Sequence, residues 1–204
     1  MSDMKKNEVG LPHSDCMHIC LIYDNDEQRR KIVSEYLAVR LRQGEKVRCG
    51  VDVLAPEIIH SWLLTLGIEL PEDMENEALS IFQAENYYMA NGQFDPKELI
   101  KGIMPRYHQL IKNGYRGVRS TSEMSWALKC NVGFDRLLEY EVLLNTVYPN
   151  NGMCQYDARL FNGVELFNVL KVHPYMVAQG QIVNNPFYIR PEEFMEKNKP
   201  NKSL

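Results

Sequence analysis

A chain of 204 residues, 45% hydrophobic and 25% charged, can bury one sizeable core, and a net charge of −4 without a long basic run excludes the electrostatic footprint of a nucleic-acid binder. No apolar run approaches a membrane span, and the polar stretch from Met1 to Asp15 lacks the apolar segment of a secretory signal. Five cysteines, odd in number and without a CxxC pair, argue against a disulfide scaffold and for a reducing, cytoplasmic setting.

Residues 1–15 read as a flexible leader, 16–191 as one folded domain, and 192–204 as a charged tail that frays. The domain opens on residues 18–23, a near-continuous apolar run suited to a sheet covered on both faces. A sharp turn follows, Asp24-Asn25-Asp26-Glu27, with Asp26 the expected N-cap and Glu27 in the first helical turn, where the helix dipole favours an acid. Val33, Tyr36, Leu37 and Leu41 then recur at helical spacing until Gly44 ends the helix. In an open α/β sheet this first strand-to-helix turn is where a phosphate is cradled. Here it holds three acids, no glycine and no lysine, and it would repel an anion.

Residues 46–53 alternate as a second strand, and 55–66 bring Ile58, Ile59, Trp62, Leu63 and Leu66 onto one helical face. An acidic loop over 67–77 with Pro71 leads to a third strand, 78–83. Residues 86–94 read as a connection or a lid. Asp95-Pro96 supplies an N-cap and a first-turn proline for a helix carrying Leu99, Ile100, Ile103, Met104, Tyr107, Leu110 and Ile111, with a kink predicted at Pro105. After Gly114, residues 118–124 form a strand of odd composition, Arg119-Ser120-Thr121-Ser122-Glu123. Buried hydroxyls and charges cost free energy unless they are hydrogen-bonded, so these side chains either form a satisfied network or line a cavity, the second being preferred. Residues 134–148 give another helix, closed by Pro149-Asn150-Asn151-Gly152. A strand over 153–157 follows, then a short helix marked by Val164, Phe167 and Leu170. Residues 176–188, interrupted at Asn184-Asn185-Pro186, read as a hairpin or edge pair. The alternation predicts a single α/β domain with a mostly parallel central sheet and helices on both faces.

Glu123, Met124 and Trp126 fall at the carboxyl end of the polar strand, where open α/β sheets place ligands. Carboxylate, thioether and indole together suit a small organic molecule; equally, Met124 and Trp126 are core and Glu123 pairs with Arg119. Tyr156 and Asp157 end the next strand and would complete the same pocket, or Asp157 caps the turn that follows. His18 and Cys20 share one face of the first strand, where Cys154 and His173 could approach them in a zinc-like set. These donors are scattered singly, so no metal is expected and Cys20, Cys49 and Cys154 read as small buried hydrophobes. A Gly-x-Ser-x-Gly elbow is missing, which leaves hydrolase chemistry little support.

Four stretches occur in an order that resembles the MEDS domain, the sensory domain of methanogens, methylotrophs and the dichloromethane-responsive regulator. They are His18-Ile19-Cys20 with Tyr23, Ser122-Glu123-Met124-Ser125-Trp126, Cys154-Gln155-Tyr156-Asp157, and His173-Pro174 leading into Asn185-Pro186-Phe187-Tyr188. The likeness spans roughly Asp15 to Pro191. It implies a RecA- or KaiC-related sheet that has lost its phosphate loop. It also implies a non-enzymatic sensory domain, without a cofactor, that binds a small C1 or hydrocarbon-derived compound and signals to a histidine kinase or transcription-regulator partner. Direct contact with nucleic acid or membrane is not expected, and a homo-oligomer is compatible with the reading. Together with the residues above, the candidate ligand set is His18, Tyr23, Arg119, Glu123, Met124, Trp126, Tyr156, Asp157 and His173. Two alternatives stay open: a degenerate KaiC-type nucleotide binder, and a small-molecule enzyme with Glu123 or Asp157 as acid or base. The family's commoner arrangement continues into an output module and none follows Pro191, so the expectation is a sensor acting in trans or a piece of a longer protein.

Overall fold

The computed structural model describes residues 17–68, 78–147 and 151–197. The expected leader, the loop with Pro71, the Pro149-Asn150 turn and the last residues of the tail lie outside the described residues. In chain order the elements are β1 (Met17–Tyr23), α1 (Asp26–Arg42), β2 (Lys46–Val51), α2 (Pro56–Thr65), β3 (Leu79–Gln83), α3 (Ala84–Tyr88), α4 (Pro96–Lys101), α5 (Ile103–Lys112), β4 (Val118–Glu123), α6 (Trp126–Lys129), α7 (Phe134–Leu144), β5 (Asn151–Asp157), α8 (Gly163–Val172), β6 (Tyr175–Ala178), β7 (Gln181–Asn184) and α9 (Pro191–Lys197). One seven-stranded sheet runs β3-β2-β4-β5-β1-β6-β7. Its pairs are parallel except β6 with β7, an antiparallel hairpin at the edge. This is the expected α/β architecture with a C-terminal hairpin, but the hairpin turns at Gln179-Gly180 and ends at Asn184, where the sequence suggested the interruption. No helix among the described residues is long and apolar enough to cross a membrane.

The pleat divides the interior into two cores. Ile19, Leu21 and Tyr23 of β1, Val47, Cys49 and Val51 of β2, and Met153 of β5 face one side, against Val33, Tyr36 and Leu37 of α1 and Ile59, Trp62 and Leu63 of α2. Cys20, Cys154 and Tyr156 face the other side, against Tyr88 of α3, Trp126 of α6, Leu137 and Tyr140 of α7, and Val169 of α8.

Local details depart from the sequence expectations for identifiable reasons. Asn25, not Asp26, caps α1, its side chain accepting from Gln28 N at 2.8 Å, and Asp26 is the first helical residue. Either side chain supplies the same acceptor, so composition alone does not choose between them. The helix expected to kink at Pro105 is instead two helices broken at Gly102; Pro105 falls in the first turn of α5, where a missing N–H costs no intrahelical bond. Residues 86–94 are not an irregular connection throughout, because α3 occupies their start and Tyr88 and Phe94 are buried in the second core. Ile58 turns outward at 39% exposure while its neighbour Ile59 is buried. The tail after Pro191 begins as α9, with Phe194 packed on the second core.

Candidate functional site

On the α7 side of the sheet, strand register aligns Arg48, Ser120, Gly152 and His18 in one row and Gly50, Ser122, Cys154 and Cys20 in the next. Central parallel strands usually carry branched apolar side chains at such positions. Here serines and glycine leave a cavity of about 90 Å³ over the sheet, covered by Tyr87 and Tyr88 of α3, Ile103, Tyr107 and Leu110 of α5, and Tyr140 of α7. Gly50 fits this row only as glycine, since a Cβ there would stand 2.5 Å from Ser122 Oγ and 3.2 Å from the Phe82 ring. The polar strand β4 is thus split by its pleat. Ser120 and Ser122 line the cavity, while on the other face the Thr121 hydroxyl donates to the Met153 carbonyl and Glu123 is ion-paired with Arg29 of α1.

His18 and Cys154 form the inner wall, and with Glu141, His173 and the Tyr156 phenol they make a buried cluster. Glu141, fully buried on α7, presents Oε2 to His18 Nε2 at 2.9 Å, to Cys154 Sγ at 3.4 Å and to His173 Nε2 at 3.5 Å. Its Oε1 accepts from the Tyr156 hydroxyl at 2.5 Å. Cys154 Sγ lies 3.5 Å from His18 Nε2, and the imidazole centroids are 4.0 Å apart. Burial works against ionisation of Glu141, but the two imidazoles and the phenol outweigh it and hold the carboxyl below its ordinary range. Burial, with His18 adding to it, pushes His173 down to about 3 against the opposing pull of the Glu141 carboxylate. Burial and the neighbouring carboxylate push the Cys154 thiol well up.

The structure separates the candidates read from sequence. His18, His173 and Tyr156 come together at Glu141, whereas the carboxyl-end group does not line the cavity. Met124 and Trp126 are fully buried core, with Trp126 stacked on Tyr88 at 4.3 Å. Glu123 does not pair with Arg119. It is ion-paired with Arg29 of α1 and accepts from Val53 N at 2.7 Å, while Arg119 reaches Glu45 at 2.5 Å. Arg29 also donates to Gln155 Oε1 at 2.9 Å, and Gln155 donates to Thr121 at 2.7 Å, which accounts for the polarity of that face. Asp157 accepts from Arg159 at 2.6 Å and 2.8 Å, and Arg159 spans to Asp26 at 2.8 Å, so the acidic first turn is fastened from within. Tyr23 is buried beneath the Arg29 and Arg159 guanidinium groups, 5.0 and 6.0 Å from its ring centroid.

Glu141 escaped the sequence reading. The available signal was a charge on the apolar stripe of α7, four residues after Leu137 and three before Leu144, where a buried acid needs partners.

The family described as MEthanogen/methylotroph, DcmR Sensory domain, abbreviated MEDS, matches residues 17–174. The transcriptional repressor DcmR of Methylorubrum extorquens is 25% identical over 163 residues, which is 76% of this chain and 57% of the repressor. The chain therefore spans little more than half the length of that relative. Among solved structures, an uncharacterized protein from Pyrococcus horikoshii, in complex with an unknown peptide, superposes with a TM-score of 0.58 at 12% identity, covering 87% of this chain and 89% of its own. The flagellar accessory protein FlaH from Methanocaldococcus jannaschii gives 0.55 at 12% identity, covering 81% and 74%. A KaiC-like protein from Pyrococcus horikoshii gives 0.50 at 14%, covering 84% and 79%. At these identities the structural likeness concerns the fold, which is RecA- and KaiC-like.

Proposed function

Because the chain belongs to the MEDS family of sensory domains, we propose that it detects a small organic compound, of C1 or hydrocarbon-derived kind, in the cavity over Ser120, Ser122 and Gly152, and passes the signal to a kinase or transcription-regulator partner. The observation that carries this reading is the size and lining of the cavity. At about 90 Å³ it is smaller than the roughly 150 Å³ that holds a benzene molecule, so an occupant has only a few non-hydrogen atoms. Aromatic and aliphatic side chains supply the contact area, and Ser120, Ser122 and Arg48 supply polar groups that orient a halide, hydroxyl or amine. Neither Glu123 nor Asp157, the carboxylates of the enzyme alternative, lines the cavity.

The test is a thermal-shift and calorimetric screen of one- to three-carbon halides, alcohols and amines, with mass spectrometry of molecules retained on purification. Gly152→Val would fill the floor of the cavity. The expectation is that a compound stabilises the wild type and that the filled variant loses at least about 10-fold in affinity, in keeping with a contact worth about 1.4 kcal/mol or more. Equal binding by Gly152→Val would remove the cavity from the account.

A further inference from the structure

Independently of what fills the cavity, we propose that His18, Glu141, Cys154 and His173 form a binding site for one divalent transition-metal ion of the zinc class. One ligand atom from each of the four lies within 4.8 Å of every other, and all four residues are buried. Zinc–nitrogen and zinc–oxygen bonds of about 2.0–2.1 Å and a zinc–sulfur bond of about 2.3 Å in a tetrahedron require ligand-to-ligand edges of roughly 3.3–3.6 Å. The observed edges from Glu141 Oε2 to His173 Nε2 and to Cys154 Sγ are 3.5 and 3.4 Å, and from Cys154 Sγ to His18 Nε2 3.5 Å. The edge from His18 to Glu141, 2.9 Å, is hydrogen-bond length and would open slightly around an ion, while the remaining edges, from His173 to His18 and to Cys154, reach up to 4.8 Å and would close.

The outer contacts point to the same ligand. His173 Nδ1 lies 2.8 Å from the Val169 carbonyl, which can only accept, so Nδ1 carries the proton. The Nε2 lone pair is left buried, without a hydrogen-bond partner, and aimed at a carboxylate oxygen. Two acceptors facing each other at this distance call for a cation between them. His18 repeats the arrangement. Its Nδ1 faces Asn145 Oδ1 at 3.0 Å, and that amide is oriented by donating to Val172 O at 2.7 Å and Glu141 O at 3.1 Å. Both imidazoles thus present Nε2 inward and fix their tautomer through an outer acceptor, as metal-ligating histidines do. Tyr156 holds the spare carboxylate oxygen, leaving Oε2 as a single donor. On binding, the Cys154 thiol gives its proton to solvent. The two positive charges of the ion are then matched by one thiolate and one carboxylate, and the buried site is neutral. The single spacing of these donors in sequence set zinc aside; the fold brings three of them together and adds Glu141.

The experiment uses metal-depleted protein, dialysed against a chelator, and Co²⁺ alone as the probe, alongside elemental analysis of protein purified without added metal. The expected result is one equivalent of cobalt per chain, with tetrahedral visible absorption and thiolate-to-cobalt charge transfer in the near ultraviolet. Cys154→Ser should lose the charge-transfer band, whereas Cys130→Ser should keep it. Asn145→Ala, which touches no inner ligand atom, should weaken binding about 10- to 100-fold. Wild-type protein that takes up no stoichiometric cobalt, or a charge-transfer band that survives Cys154→Ser, would overturn the proposal. Retention of organic molecules by the metal-free protein is read separately, so either reading can fail alone.

Discussion

Two side chains carry opposite lessons at the scale of single residues. Trp126 lies just past the polar strand, a position that suggests a ligand clamp, yet it is fully buried and packed on Tyr88 at 4.3 Å and Phe94 at 5.0 Å. Trp126→Ala should therefore cost about 3–5 kcal/mol in urea denaturation, comparable to Trp62→Ala in the opposite core. Arg29 was invisible as a partner because it reaches Glu123 only through the packing of α1 on the sheet. The nearer choice, Arg119, stands four residues away on the same strand, about 13 Å along it, too far for a direct pair. Removing Arg29 strands a buried carboxylate, so Arg29→Ala should lose about 3–5 kcal/mol, and a paired Arg29→Met, Glu123→Gln change should recover much of it. Equal stability of the single and double variants would contradict that account. Composition could flag β4 as polar. It could not say which serines face a cavity, because that depends on which neighbours the sheet places beside them.

Among the elements, the turn between β1 and α1 decides whether this sheet can serve a nucleotide. Its acids were legible, and their consequence follows from charge alone: ATP with Mg²⁺ should show no micromolar binding by calorimetry. What sequence did not show is Arg159, which comes from beyond β5 to hold Asp26 and Asp157 together. Its hydrogen bonds are the main reason both carboxyls are held below their ordinary value of 3.8. A depressed carboxylate stabilises the fold fully above its unfolded value and stops doing so as pH falls through the folded one. Arg159→Gln should therefore lower the urea midpoint only modestly near neutral pH, since the arginine is half exposed and screened. The gap between variant and wild-type urea midpoints should close as pH falls below the ordinary carboxyl value of 3.8. A gap unchanged at low pH would show that Arg159 acts through packing. The broken helix at Gly102 illustrates the limit of local rules: proline predicted the right neighbourhood, but its place in a first turn makes it harmless, and glycine marks the break.

For the molecule as a whole, the alternation of strands and helices was enough to foresee a parallel sheet covered on both sides, while the strand order was not, since it is set by long-range pairing. The two tryptophans sit in opposite cores that share strands β1 and β5. Urea transitions followed by Trp62 fluorescence in Trp126→Phe, and by Trp126 fluorescence in Trp62→Phe, should each superpose on the circular-dichroism transition of the same variant; separated curves would mean that the sheet does not couple its faces. The order also has a consequence for how the protein is made. Both edges of β1 are filled by β5 and β6, so the first strand to be synthesised is among the last to be paired. Met17 meets its partner Asn151 only 134 residues later. At about 5–20 residues per second, that leaves the strand with Ile19 and Leu21 waiting roughly 7–27 s on the ribosome. A nascent chain stalled before β5 would display its most apolar strand with both edges open, to chaperones and to other copies alike.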